Sequence, residues 1–402
     1  MKDDILMIAQ YSFTPGTKHN SRFHDIARML LNEKKHIELV TTSFQHDIKE
    51  ERSFKEQDKE KLGYQYTMLD IPHYKKNICL KRLYSNVVFS NNVYKYLKQR
   101  RKPDVVYCAI PSVILASKVG KYCKKNNIKF IIDIQDLWPE AFQMVFNIPL
   151  LSTLVFTPLK IIANKAYKQA DEIIAVSDTY VNRAISVNRK CKTGHSVFLG
   201  TDLRTFDDNV KNNLIIRKDN EIWLAYCGTL GASYDLSIVF NAMRQINNIN
   251  LKFIVMGDGP SRNEFEKKAE GLNVKFTGRL PYPKMCGILK SCDIAVNPIM
   301  HGAAQSIINK HADYAASGIP VLNTQESKEY RKLVDEYKMG FNCDSNDAND
   351  LAKKIQLLSD NKELRVEMGE NARRCAQEKF DRRYSYLIIK DVIEENEDSC
   401  KN

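Results

Sequence analysis

Apolar runs alternate with amphipathic segments from one end of the chain to the other. Ile5–Ala9 reads as a short strand. A loop follows from Gln10 to Asn20, after which Ile26, Met29, Leu30 and Leu31 recur at helical spacing. Ile37–Thr42, Val105–Ala109, Phe130–Ile134 and Glu172–Val176 read as further strands, with a helix over Ser112–Asn127 and a charged surface excursion over Asp47–Lys61. The pattern then restarts. Trp223–Cys227, Leu251–Met256, Val274–Thr277, Ile294–Asn297 and Val321–Asn323 read as strands, with helices between them that include Leu236–Ile246 and Ser261–Glu270. Short apolar strands separated by helices predict doubly wound parallel sheets, whose strands are buried on both faces. The fold class read from this pattern is α/β, with two Rossmann-like halves. Their expected bounds are 1–203 and 204–380, with Thr205–Asn220 as the connection and a C-terminal helix over about 381–402 that packs back on the first half.

In sheets of this kind ligands lie beyond the carboxyl ends of the strands. Four strand ends in the second half carry glycine-bearing turns. They are Gly228-Thr229-Leu230-Gly231, Gly257-Asp258-Gly259-Pro260, Gly278-Arg279-Leu280, and Asn297-Pro298 through Gly302-Ala303-Ala304-Gln305-Ser306. A single glycine after a strand is ordinarily a turn; four at successive strand ends of one domain point to the mouth of a ligand site. In the fourth loop, Gly302, Ala303 and Ala304 let a ligand approach the backbone, and Ser306 opens a helical stretch, Ile307 to Ala316. Free N–H groups and the helix dipole suit a diphosphate there. Lys310, one turn in, adds a full positive charge. Asp313 falls on the same helical face and offers a carboxylate to the hydroxyls of a ribose. The bland alternative is a surface Lys/Asp pair worth under ~1 kcal/mol; the surrounding loops favour the site.

Charge adds a second asymmetry. The chain of 402 residues carries a formal net charge of +12, and all of the excess lies in residues 1–200, with 32 Lys+Arg against 19 Asp+Glu. Residues 71–130 alone hold 14 basic side chains and one acidic one, Asp104. Such a field attracts anionic lipid, polyanions or acidic ligands. The ten cysteines form neither Cys-x-x-Cys pairs nor Cys/His clusters, so reduced thiols of a cytoplasmic protein are expected rather than structural zinc or disulfides. The first residues lack a secretory signal. The nearest approach to a membrane span, Met144–Leu159, is interrupted by Pro149 and Pro158.

Cys292-Asp293-Ile294-Ala295-Val296-Asn297-Pro298, followed by Ser306 through Val321, resembles the donor-site signature of GT-B glycosyltransferases of family four. Gly257-Asp258-Gly259-Pro260, Phe276-Thr277-Gly278-Arg279, Ala170 through Ser177 and Asp136-Leu137-Trp138-Pro139-Glu140 fit the same family. The resemblance covers most of the chain and is nearest to transferases that assemble bacterial capsule, exopolysaccharide or O-antigen units. It implies a GT-B fold, two Rossmann-like domains facing a central cleft. It also implies transfer from a nucleotide-diphospho-sugar with retention at the anomeric carbon. The family's paired acidic positions fall on Gln305 and Asp313, so the carboxylate is kept at the ribose and replaced by an amide at the donor sugar. Thr229 and Ser233 stand where the family carries Arg and Lys, which leaves Lys310 and Arg279 as the cations for the diphosphate. The donor set implied is Gly16, Gly228, Thr229, Leu230, Gly257, Gly259, Arg279, Leu280, Ala303, Ala304, Gln305, Ser306, Lys310 and Asp313. The chain has no Asp-x-Asp triplet, so a metal-independent site without cofactors is expected.

The first half is expected to hold the acceptor, a saccharide carried on a lipid. Asp136, before Leu137-Trp138-Pro139, is read either as an acceptor-binding or proton-handling group or as a helix N-cap; with Gln305 and Lys310 it completes the catalytic candidates. Arg22, His24, His46 and Trp138 are the acceptor-binding candidates. The nearly uncharged Met144–Leu159 reads either as a buried helix pair or as a segment resting on the anionic inner leaflet, a peripheral membrane contact. Two other classes fit the same architecture: a sugar-nucleotide epimerase, which needs no acceptor, and a non-catalytic protein that binds anionic lipid or polyanions. A nucleic-acid partner is not expected, because the charge segregation that would permit one leaves the four glycine-bearing loops of the neutral half unexplained.

Overall fold

The computed structural model of the chain describes residues 3–15, 21–32, 34–54, 58, 60–76, 79–140, 149–217, 220–246, 248, 250–303 and 309–395, without the side chains of 149–155. The chain divides into two compact units, Met1–Val197 with Tyr386–Asn402, and Phe198–Ser385.

The first unit is built on a parallel sheet. Its strands are β1 (Asp4–Ile8), β2 (His36–Thr42), β5 (Gln65–Leu69), β6 (Val105–Ile110), β7 (Lys129–Ile134), β8 (Glu172–Ala175) and β9 (His195–Ser196). They lie in the order β5-β2-β1-β6-β7-β8-β9, and a small hairpin of β3 (Phe44–Gln45) and β4 (Glu50–Glu51) follows β2. Strand order reverses between β1 and β6, the switch point where such sheets bind ligands. β1, β6 and β7 are buried along their whole length, which is why they read as continuous apolar runs. Two elements escape that pattern. β5 lies at the sheet edge and is only partly buried. The helix Leu80–Gln99 buries Ser85, Asn86 and Ser90 beside Phe89, Val93 and Leu97, so its inner face is half polar. The helix Leu387–Glu394 returns to this unit and inserts Ile389, Val392 and Ile393 into the same core as Ile5 and Met7.

The second unit repeats the plan with β10 (Ile222–Cys227), β11 (Leu251–Met256), β12 (Val274–Gly278), β13 (Ile294–Asn297), β14 (Val321–Asn323) and β15 (Gly340–Asn342). All are parallel, in the order β12-β11-β10-β13-β14-β15. Its switch point lies between β10 and β13. The stretch expected as the connection, Thr205–Asn220, is instead occupied by an element of this unit. Asp202 caps the helix Leu203–Asn213 by accepting from Thr205 N at 2.8 Å, and the helix buries Leu203 and Phe206. The chain changes unit earlier, after Val197, and again after Ser385. Two apolar residues one turn apart in a polar helix are too weak a stripe to read in sequence. Among the described residues no helix is long and apolar enough to cross a membrane, and the described cysteines are unpaired.

Candidate functional site

The loops after β10 and β11 lie backbone on backbone. Leu230 N donates to Asp258 O and Ser261 N to Leu230 O, both at 3.0 Å. A Cβ at position 257 would stand 1.8 Å from Gly228 O, and one at 259 would stand 2.2 Å from Leu230 O. Glycine at these two places is therefore demanded by the approach of one loop to the other, with no ligand needed to explain it. Leu230 is wholly buried in the core of the unit, and Leu280 packs against the other core cluster of that unit. Arg279 is exposed at the end of the loop after β12.

Across the switch point the loop after β13 is stitched to the loop after β10. Asp235 N donates to Pro298 O at 3.0 Å and Met300 N to Ser233 O at 3.1 Å, with a bridge between Tyr234 and Ile299. Gly302 has a φ of 72° and nothing within 4 Å of where its Cβ would stand. Ala303 is half-buried; Ala304, Gln305 and Ser306 lie outside the described residues.

The helix Asn309–Ser317 carries Lys310 and Asp313 into different surroundings. Lys310 is 7% exposed, and its ammonium has no hydrogen-bond acceptor among the described residues. Nζ lies 3.8 Å from the ring centroid of Tyr234 and 4.4 Å from that of Tyr226. Gly228 is its backbone neighbour: a Cβ there would stand 3.6 Å from Nζ. Burial pushes the ammonium down to about 7; the two ring faces attract a cation but accept no full hydrogen bond. Asp313, one turn on, accepts from the Tyr282 hydroxyl at 2.7 Å, and Tyr282 Oη lies 3.0 Å from Thr201 Oγ1. Desolvation raises this carboxyl to about 6, although the Tyr282 hydrogen bond and the charge of Arg382 favour the carboxylate. The expected proximity of Lys310 and Asp313 thus does not become a pair: one is held by aromatic faces, the other by a phenol.

Beneath this helix lies a polar row that the sequence reading missed. Asn297, Asn323 and Asn342 end β13, β14 and β15 and stand in register. Asn297 Nδ2 donates to Asn323 Oδ1 at 2.8 Å, Asn323 Nδ2 to Asn342 Oδ1 at 2.9 Å, and Asn342 Nδ2 to Asp335 Oδ1 at 2.8 Å. Asn297 Nδ2 also meets His311 Nε2 at 3.1 Å, which makes that nitrogen an acceptor and the imidazole neutral; burial pushes His311 far below its ordinary range. The ring stacks on Tyr330 at 3.7 Å. Three strands each ending in asparagine were the available signal. The in-register contact that gives it meaning belongs to the sheet.

In the first unit the acceptor candidates divide. Arg22 is buried and forks onto Asp133 (2.8 and 3.0 Å), while its Nη1 donates to Val197 O at 3.1 Å. His24 is buried between the Tyr64 hydroxyl, 2.5 Å from Nδ1, and the Phe13 carbonyl, 2.8 Å from Nε2, and burial lowers it to about 4. The structure therefore makes Arg22 and His24 interior residues rather than contacts open to an acceptor, because both ends of each side chain already have partners inside the unit. His46 Nδ1 meets the Tyr74 hydroxyl at 2.6 Å on a half-buried surface, and desolvation lowers it to about 3. Asp136 accepts from Trp138 Nε1 at 3.1 Å, with burial raising its carboxyl. The guanidinium of Arg82 lies 4.7 Å over the Trp138 ring. Gly16 lies outside the described residues.

Residues 208–375 match the family model of glycosyl transferases group 1. An uncharacterized glycosyltransferase of Methanocaldococcus jannaschii is 22% identical over 332 residues, 78% of this chain and 87% of its own. The sulfoquinovosyl transferase SQD2 of Arabidopsis thaliana is 22% identical over 72% of this chain and 56% of its own. Among solved structures, HepE of Anabaena in complex with UDP superposes with a TM-score of 0.71 at 17% identity, covering 97% of this chain and 99% of its own. Sucrose-phosphate synthase of Thermosynechococcus elongatus superposes with a TM-score of 0.74 at 16% identity, over 97% and 98%. With two parallel α/β units, this domain match and these relatives, the chain is a glycosyl-transferring enzyme of the GT-B fold.

Proposed function

We propose that the protein is a retaining glycosyltransferase. In this reading it moves a sugar from a nucleotide-diphospho-sugar to a lipid-linked saccharide in the synthesis of a bacterial surface polysaccharide, as a cytoplasmic enzyme peripheral to the membrane. The observation that carries the reading is Lys310. A buried ammonium with no acceptor among the described residues is an unfavourable state, and it stands at the switch point of the sheet, beside the Gly228 loop. A diphosphate supplies the anion that would relieve it. HepE structures with UDP and with UDP-glucose lend the nucleotide class to this reading.

The chemistry follows from the groups present. The bond from the anomeric carbon to the donor phosphate oxygen breaks, and negative charge grows on the departing diphosphate. Lys310 stabilises that charge; one well-placed donor in such a site is worth about 3–4 kcal/mol. The acceptor hydroxyl oxygen bonds to the same face of the anomeric carbon, and its proton passes to the leaving phosphate. Asp313 is assigned to the ribose and Gln305 to the donor sugar. No metal is assigned a role. Asp136 is assigned to the acceptor side. An epimerase would consume donor without acceptor, so acceptor dependence of donor consumption separates the two readings.

The test is a thermal-shift series with UDP-, GDP- and dTDP-sugars on the native protein and on Lys310→Ala. At least one donor is expected to raise Tm in the native protein and none in the variant. Transfer is expected to be lost in the variant without a fall in its own Tm. A flat response of the native protein to every donor rejects the proposal.

A further inference from the structure

The helix Leu80–Gln99 turns a second face to solvent. Leu80, Leu83 and Tyr84 are 84%, 39% and 59% exposed. They stand at i, i+3 and i+4, so they form one stripe, and Val87, a further turn along, extends it half-buried. The opposite face is the one that packs into the unit, through Phe89, Val93 and Leu97. Around the stripe Lys75, Lys76 and Lys81 are exposed and form no ion pair among the described residues. The helix has no acidic residue in its first turn, so its positive dipole end is uncompensated. The helix Val113–Asn126 packs alongside, but its exposed Lys121, Lys124 and Lys125 lie by the other end of the helix Leu80–Gln99, where Tyr122 Oη donates to Leu97 O, so the charge at the stripe comes from Lys75, Lys76 and Lys81. The single acidic residue of this region, Asp104, is exposed beyond that far end, where its carboxylate accepts from Asp3 N and Asp4 N.

We propose that this face of the first unit docks on an anionic lipid bilayer, with Leu80, Leu83 and Tyr84 entering the headgroup boundary and the lysines holding the phosphates. The proposal extends the reading of a lipid-linked acceptor and names the surface that would bring the enzyme to it. Charge alone fits any polyanion. The apolar stripe separates the candidates, because a nucleic acid leaves Leu80 in water while a bilayer buries it. The lysines supply the attraction to anionic headgroups, and that part weakens with salt.

The experiment is sedimentation of the full-length protein with vesicles of phosphatidylcholine and of phosphatidylcholine mixed with phosphatidylglycerol. Binding is expected to the mixed vesicles only. The exposed double variant Leu80→Ser/Leu83→Ser is expected to weaken it at least ~10-fold, and Lys76→Glu/Lys81→Glu to a similar or larger extent. Both variants are expected to keep the native Tm and the native thermal shift with donor, so failure at the membrane is distinguishable from failure of the donor reading. Absence of binding to the mixed vesicles overturns the proposal. So does undiminished binding by the leucine variant, and so does capture by RNA that the leucine variant retains in full while vesicle binding is weak.

Discussion

The hydroxyl of Tyr282 donates to Asp313 at 2.7 Å while its oxygen stands 3.0 Å from Thr201 Oγ1. Since a phenol has one proton to give, Thr201 is the donor in the second contact. The chain of three groups keeps the short Asp313 side chain oriented where the family's longer glutamate would reach further. Tyr282→Phe removes the hydrogen bond that favours the carboxylate, so the carboxyl rises further above its ordinary range. Donor affinity is expected to fall ~3–10-fold at neutral pH, and the acidic limb of the binding profile to move to higher pH. Calorimetric titration with the donor's nucleoside diphosphate across pH measures both; an unmoved acidic limb rules out a positioning role for Tyr282.

In the proposed reading Lys310 sets the alkaline limb of donor binding. Burial pushes the ammonium down to about 7, and in that reading a bound diphosphate requires the proton. Affinity is expected to be flat just below that pH and to weaken about tenfold per unit above it, with proton uptake on binding. Lys310→Arg, charged throughout, is expected to lose the slope.

The same group makes a stability prediction of definite sign. In the unfolded chain Lys310 titrates near its ordinary value of about 10.4. Between the two values the unfolded state holds the extra proton, so stability rises with pH across that window. Lys310→Met is expected to flatten the rise in urea melts at pH values inside it and to be no less stable than the native protein near neutrality.

Two glycines in the loops of the site are there for different reasons. Gly257→Ala forces a methyl to 1.8 Å from Gly228 O, and backbone must move; a loss of roughly 2–4 kcal/mol is expected. Gly302→Ala meets open space and only the strain of a positive φ, so about 1 kcal/mol is expected. Thermal melts of the two variants decide it.

Arg22 is expected to matter for folding rather than for acceptor affinity. Its partner Asp133 is fully buried and would be left unpaired in Arg22→Ala, a change that ordinarily removes 3–5 kcal/mol, as an order of magnitude, from a buried ion pair. A large fall in Tm with an unchanged acceptor KM in the surviving fraction is the expected pattern.

What the sequence determined by itself was the class and plan of the fold. Parallel strands buried on both faces must be continuous apolar runs, and β6, β7, β10, β11, β13 and β14 were legible to within a residue or two on that ground. It also pointed to the strand ends where glycines cluster and to the helix that holds Lys310 and Asp313. Elements with mixed faces stayed hidden: β5, the helix Leu80–Gln99 and the helix Leu203–Asn213, whose buried stripes are short or half polar. Only the tertiary structure decided what each side chain meets. Spacing on a helix places Lys310 and Asp313 near one another, but their partners come from other strands and helices: Tyr226 and Tyr234 for one, Tyr282 for the other. Likewise Gly257 reads as a ligand loop in one dimension and is a loop-packing glycine in three. Periodicity reports which face is buried; the identity of the atom on the other side of the contact is a property of the assembled sheet and its loops.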